Sequence, residues 1–329
     1  MNHLRESRDW ILPLFLILVF IFAPLPKIQT INDEITVSEV VPENHSDGFV
    51  KSDVVLGRVN YTVYNTSEAF EGYNLFTLYE YDMNLGNRSN LLLIMDMDGN
   101  VIAQKQLGDI GAASCNVEFL NPDTILVGTA QGAALWHIEN DTMDYLGFEG
   151  HHEYEYNSKL NTIFTFEKDY QYIAGVYYLF DIIKQYDMNG NLVWSWPVSD
   201  FIPTGWWCPY QDMVGDYRDI SHSNTIYYDG DEDIIYYNSR HTNTFWKLNY
   251  TSKEVIWAVG EHGDFTMFDL QGNQVSNLFY HAHAVEPVDE NTFILFDNDY
   301  HNQTDPLNEI SRIVEITIDE NTMTANESW

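Results

Sequence analysis

From Gly72 onward, apolar and polar positions alternate in short runs, with no helical spacing. Runs rich in Val, Ile, Tyr, Phe and Trp are broken every few residues by Asn, Asp and Gly, the pattern of short strands joined by tight turns. The turns recur. Asp96–Asn100 leads into Val101-Ile102, Asp187–Asn191 into Leu192-Val193-Trp194, and Asn249–Lys253 into Glu254-Val255-Ile256-Trp257. Asx-Gly or slightly longer loops between apolar runs read as hairpins. A second kind of hairpin lies between them. It begins at Asn116, His152, His222 or His283 and returns through Ile125–Val127, Ile163–Phe166, Ile234–Tyr237 or Phe293–Phe296. Two hairpins make four strands, and tandem units of four strands predict an all-β fold, a β-propeller. Five units are recognisable, over about 72–107, 113–148, 151–196, 220–259 and 281–329.

The chain before this array is different. Residues 28–70 are polar, acidic and rich in sequons, and read as a stalk or a small β element. Residues 10–25, WILPLFLILVFIFAPL, carry no charge and are flanked by Arg5, Arg8 and Lys27. That length fits a signal-peptide core or a membrane anchor. No small-x-small cleavage site follows, and Pro24 stands after Ala23, which favours an uncleaved anchor. The domain reading is therefore 1–27 signal or anchor, 28–70 polar segment, and 71–329 propeller, with the propeller outside the cytoplasm.

Charge narrows the partners. Fifteen Lys and Arg stand against 50 Asp and Glu, a formal charge of -35. Such a polyanion repels nucleic acid and anionic lipid surfaces, so neither is expected as a partner. Sequons begin at Asn44, Asn60, Asn65, Asn87, Asn140, Asn249, Asn302 and Asn326, which agrees with a glycosylated exported protein. The two cysteines, Cys115 and Cys208, read either as one disulfide or as two buried thiols. No Cys/His metal spacing occurs, and no metal or cofactor is expected.

In a propeller the first strand of each unit lines a central channel, so Asn116, His152, His222 and His283 are expected to converge on one axis. A lone histidine is usually a structural hydrogen-bonding residue. Three at one repeat position point to an anion site, a metal site or a nucleophile. Arg240 ends the return strand begun by His222. Its planar guanidinium offers paired donors that match two oxygens of a sulfate or phosphate. A surface ion pair is the alternative for Arg240 in so acidic a chain.

These residues sit in Gly150-His151-His152-Glu153, Asp219–Ile226 with its His222-Ser223-Asn224, Ser239-Arg240-His241, Glu254–Gly260, and His281-Ala282-His283 leading to Leu295-Phe296-Asp297-Asn298. Over roughly residues 70 to 320 the segments, in this order, resemble the arylsulfotransferase family that works without a nucleotide sulfate donor. The resemblance implies a propeller enzyme that moves a sulfuryl group from an aryl sulfate to a phenol. It implies a transiently sulfated histidine at His283, with His281 as competitor. It implies that His152, His222 and Arg240 hold the sulfuryl oxygens, with His151 as the alternative to His152. Asn224 matches a supporting polar residue, and Asn116 and His281 join it as expected substrate contacts. Trp206, Trp207, Tyr210 and Tyr280 are candidate aromatic walls for phenols, or rim packing. Members of the family have six blades, one more than the five units here. A completing N-terminal strand set, an open ring and a truncated sequence are the alternatives.

Two rival readings remain at this level. One is a non-catalytic surface propeller that binds an anion or a protein partner. The other is a histidine metal enzyme, which the fixed positive charge of Arg240 opposes.

Overall fold

Val, Ile, Tyr, Phe and Trp fill the strands because β-branched and aromatic side chains pack well on a pleated surface. The structure, a computed structural model, describes residues 72–82, 87–108, 117–129, 131–206, 208–210, 214–299, 301 and 310–329. Among these, regular structure is β apart from two 3₁₀ turns at Val198–Asp200 and Thr204–Trp206. The fold is all-β and propeller-like, built from successive antiparallel sheets. The apolar segment 10–25, the polar segment 28–70, Cys115, Asn116, Trp207 and the sequons at Asn44, Asn60, Asn65 and Asn302 lie outside the described residues. Among the described residues no helix is long and apolar enough to cross a membrane.

The chain divides into two compact units after Ile110. In the first, β1 (Tyr73–Asp82), β2 (Asn87–Asp96) and β3 (Val101–Gly108) form one antiparallel sheet in chain order. This is the first sequence unit, with three described strands where the repeat predicts four.

The second unit holds four sheets. β4 (Val117–Asn121), β5 (Thr124–Thr129), β6 (Gly132–His137) and β7 (Thr142–Tyr145) make the first. β8 (His151–Asn157), β9 (Thr162–Ile173), β10 (Val176–Asp187) and β11 (Leu192–Pro197) make the next, and the short β12 (Arg218–Asp219) lies parallel to β10. The third comprises β13 (Ser223–Asp229), β14 (Ile234–Ser239), β15 (Thr244–Asn249) and β16 (Val255–Gly260). A hairpin of β17 (Thr266–Phe268) and β18 (Gln274–Val275) follows. It joins the last sheet, made of β19 (His283–Pro287), β20 (Thr292–Asp297), β21 (Arg312–Asp319) and β22 (Thr324–Glu327), because β17 pairs parallel with β22.

Turn chemistry repeats with the strands. Asp96, Asp187 and Asp269 each accept, at Oδ1, the backbone N–H groups two and four residues on. These Asx turns close the hairpins β2–β3, β10–β11 and β17–β18. Core side chains lie between successive sheets. Phe164, Phe166, Ile183, Tyr237 and Trp246 pack between the second and third sheets. Phe245, Trp257, Phe279, Phe293 and Ile316 pack between the third and the last. Central strands such as β5 and β14 are therefore buried on both faces along their whole length. The edge strands β4, β8, β13 and β19 are successive neighbours.

Candidate active site

The first strands of three sheets begin irregularly, and each irregular start carries histidine. The ladder shifts register between His151 and Tyr154 in β8, between Ser223 and Thr225 in β13, and between His283 and Glu286 in β19. A bulge bends a strand and re-aims its side chains. His152, His222, His281 and Ala284, at or beside these bulges, have φ of 63°, 43°, 53° and 50°.

The result is a cluster with an accessible row and a buried row. His152, His222, Arg240 and His283 are partly exposed. His151, Asp181, Asp219, Asn224, His241 and His281 are buried. The rings of His152 and His222 meet edge to face with centroids 5.0 Å apart, and both lie close enough to His283 to act on its charge or feel it. Arg240 comes off β14, whose end is tied to the His222 turn: Arg240 N–H donates to His222 O at 3.2 Å, and Ser239 Oγ donates to Ser221 O at 2.6 Å.

Each accessible histidine leans on a partner. His222 Nδ1 donates to Asp219 Oδ2 at 2.7 Å, which leaves Nε2 facing outward. His152 Nδ1 lies 2.8 Å from His151 Nδ1, and His151 Nε2 lies 3.0 Å from Asp181 Oδ1. His283 Nδ1 is 3.2 Å from His281 O and 3.1 Å from the Asn298 side-chain amide. A carbonyl can only accept, so His283 carries its proton on Nδ1 and its lone pair on Nε2. Asn298 Oδ1 finds no partner among the described residues where it stands. The amide orientation that turns this oxygen to His283 Nδ1 satisfies both groups.

Burial, then the charges of Arg240 and His222, push His283 down to about 3. Burial, then His222, His151 and His283, hold His152 well below the usual imidazole range. Burial and neighbouring His222 and Arg240 do the same to His241. Its Nε2 accepts from Arg240 Nη1 at 2.6 Å while its Nδ1 donates to Asp219 O at 2.9 Å, so it aligns the guanidinium. Burial opposes ionisation of Asp181, yet His151 beside it and hydrogen bonds from His151, Ser221 and Ser223 pull its carboxyl far down.

Asn224 and His281 sit behind this row. Asn224 Nδ2 and Asn238 Nδ2 both donate to Ala282 O, at 2.8 and 2.7 Å. His281 is fully buried, with Nε2 3.2 Å from Cys208 Sγ and its backbone N–H on Asn243 Oδ1 at 2.8 Å. These contacts fix the chain that carries His283. Asn116 lies outside the described residues. Of the aromatics, Trp206 stacks on His262 and Tyr280 on His301, each with centroids 4.2 Å apart.

Asp219, His222 and His241 place possible metal-ligand atoms within 4.8 Å of one another. The Nδ1 atoms of both histidines are already donating, and Arg240 stands against His241, so a hydrogen-bonded network fits this donor set better than a cation. Asp219, His241 and Asn298 stand in the motif segments of the sequence without a role of their own, and Asp181 lies outside those segments. Asp219, three residues before His222 on the same turn, was open to discovery as an Asx cap. Asp181 lies 30 positions from His151, on the third strand of its sheet, and no local pattern marks it.

The family model described as Arylsulfotransferase (ASST) matches residues 61–329. No curated protein matches the chain. Solved structures resemble it at low identity. Dihydro-heme d1 dehydrogenase NirN in complex with DHE is 9% identical over 80% of this chain and 48% of that one, with a TM-score of 0.33. The acylaminoacyl peptidase of Pyrococcus horikoshii is 10% identical over 75% and 37%, with a TM-score of 0.41. Kluyveromyces lactis Hsv2 is 10% identical over 74% and 81%, with a TM-score of 0.34. The chain thus spans about half of the first protein and little more than a third of the second. The family match is of another order, since it takes in every described strand and all of the histidine motifs: the chain belongs to the arylsulfotransferase family.

Proposed function

We propose that the chain transfers a sulfuryl group from an aryl sulfate ester to a phenol through a sulfohistidine at His283. The observation that carries this reading is the accessible row of His152, His222, Arg240 and His283 over buried partners. A neutral imidazole with its proton held on Nδ1 is a nucleophile at Nε2 without a strong base. In the first step His283 Nε2 attacks sulfur, the S–O bond breaks, and the electron pair leaves on the phenolate oxygen. In the second, the acceptor phenol oxygen attacks sulfur, the S–N bond breaks, and the pair returns to Nε2. Arg240 is the donor that meets charge on the equatorial oxygens, and His222 joins it at Nε2 when its ring carries both protons, with Nδ1–H on Asp219. Buried His241 and the Asp219 carboxylate hold those two donors in place. The same reading takes the propeller to act outside the cytoplasm, led or held there by residues 10–25.

Intact-mass measurement after incubation with 4-nitrophenyl sulfate is the test. The protein should gain one sulfuryl mass, and His283→Ala should lose both the adduct and transfer to phenol. Arg240→Lys keeps the charge but not the paired donors, and should slow transfer roughly 100- to 1000-fold. No adduct and no transfer with the intact chain would leave an anion-binding surface propeller as the better reading.

A further inference from the structure

His151 sits between two groups that it joins. On one side its Nδ1 is 2.8 Å from His152 Nδ1, and on the other its Nε2 is 3.0 Å from Asp181 Oδ1. Two lone pairs cannot face each other at 2.8 Å, so one proton lies between the imidazoles. Asp181 is 2% exposed and accepts two further hydrogen bonds, from Ser221 Oγ and Ser223 N–H, both at 2.7 Å. Those two donors come from the neighbouring sheet's turn, so the carboxylate is fixed in position and stays ionised. Asp181, His151 and His152 therefore form a continuous line from a buried anion to the accessible row.

The surroundings of the two rings differ. His152 faces His222 at 5.0 Å between centroids, and His283 and His151 also lie close, all of them groups that oppose a positive charge on its ring. His151 is buried against Phe166 and has a carboxylate on its far nitrogen. Positive charge is thus better placed on the inner ring than on the outer one. His222 is built differently, because its Nδ1 touches a carboxylate directly, with no second ring between them.

We propose that His152 is the proton carrier of the reaction and that His151 and Asp181 are its positioning residues, forming a two-proton relay. The proposal rests on the sulfuryl-transfer reading above. When the acceptor phenol attacks sulfur on His283, its O–H proton passes to His152 Nε2. The proton on His152 Nδ1 passes to His151 Nδ1. The charge comes to rest on His151 with its Nε2–H still on Asp181, and the electron pair of the broken S–N bond returns to His283 Nε2. The first half-reaction runs the same line in reverse and delivers a proton to the departing phenolate. His152 is neutral before and after each half-reaction, so its ring never holds the charge that its neighbours oppose.

The relay matters only where a proton must move, which gives the test. Sulfo-enzyme prepared with 4-nitrophenyl sulfate is reacted in single turnovers with phenol, which must lose its proton, and with pentafluorophenol, which is already ionised at neutral pH. For the wild-type chain, transfer to phenol should show a solvent deuterium isotope effect with a curved proton inventory, since two protons move, and transfer to pentafluorophenol should show none. In His151→Gln the ratio of the phenol rate to the pentafluorophenol rate should fall by about 100- to 10,000-fold, the usual worth of a positioned acid–base group. Asp181→Asn should lower the same ratio. A linear inventory with phenol overturns the relay, and this arm needs no variant to fold. Equal losses with both acceptors would reduce His151 to a packing role and also overturn it. Failure of the wild-type chain to take up any sulfuryl mass is a different result, because it removes the sulfuryl-transfer reading itself and the relay with it.

Discussion

His152, His222 and His281 hold backbone conformations that side chains rarely adopt. Each costs about 1–3 kcal/mol and persists only where surrounding contacts over-determine it. Around His222 these are the bonds that Asp181 accepts from Ser223 N–H and Asp219 from His222 N–H, around His281 the bond that Asn243 accepts from its N–H, and beside His152 the bond from Thr165 Oγ1 to Glu153 O. Gly150 belongs to the same construction. A methyl group there would meet Thr165 Oγ1 at 2.0 Å and Thr165 Cβ at 2.9 Å. Thr165 cannot yield easily, since it is fully buried, stiff at its branched Cβ, and bonded to Glu153 O at 2.7 Å. Gly150→Ala should therefore destabilise by about 1–3 kcal/mol in urea unfolding and displace the His151–His152 pair. Sulfo-adduct formation, measured at a temperature where the variant is still folded, should fall with it. The histidines were legible in the sequence because they recur at one repeat position. Their partners were not, because Asp181 reaches His151 across the intervening strand β9 and His241 acts through Arg240.

At the scale of strands and sheets, the repeat gave the hairpins closely: β8 begins at His151, β13 one residue after His222, and β19 at His283. Apolar runs bounded by Asx turns carry that information locally. Two features escaped it. The hairpin β17–β18 lies in the stretch 260–280 that the repeat left unassigned, because strands of three and two residues are too short to show alternation. The bulges were equally silent, since an extra residue leaves the polar and apolar pattern readable on both sides of it. The sheet carrying His222 and the sheet carrying His283 meet at a polar joint, where Asn224 and Asn238 both donate to Ala282 O and Asn238 also donates to Asn224 Oδ1 at 2.7 Å. Asn238→Ala should cost about 1–3 kcal/mol, as buried polar groups lose their partners. Asn224→Ala should cost a similar amount. The double variant should lose less than the sum of the two, because both amides serve one carbonyl. A urea double-mutant cycle reads this directly.

Across the second unit as a whole, four glutamates share the inner strands with the histidines: Glu118 on β4, Glu153 and Glu155 on β8, and Glu286 on β19. Burial, then mutual repulsion, raises Glu153 and Glu155 well above the carboxylate range. Burial raises Glu118 to about 7, and burial together with Glu118 raises Glu286 to about 7. A carboxyl raised on folding favours the protonated native state. Its contribution is fully present below the unfolded value of 4.5 and is lost as pH rises through about 7. The melting temperature should therefore fall across that window, and Glu286→Gln should flatten the fall. A variant whose melting temperature tracks the wild type at every pH would remove these groups as the cause. On the proposed reaction the aryl sulfate is an anion at every working pH, whereas phenol is neutral until it reacts. Above pH 7 Glu118 and Glu286 add negative charge to the strands that neighbour and carry the histidines, a field that opposes anions and leaves neutral molecules unaffected.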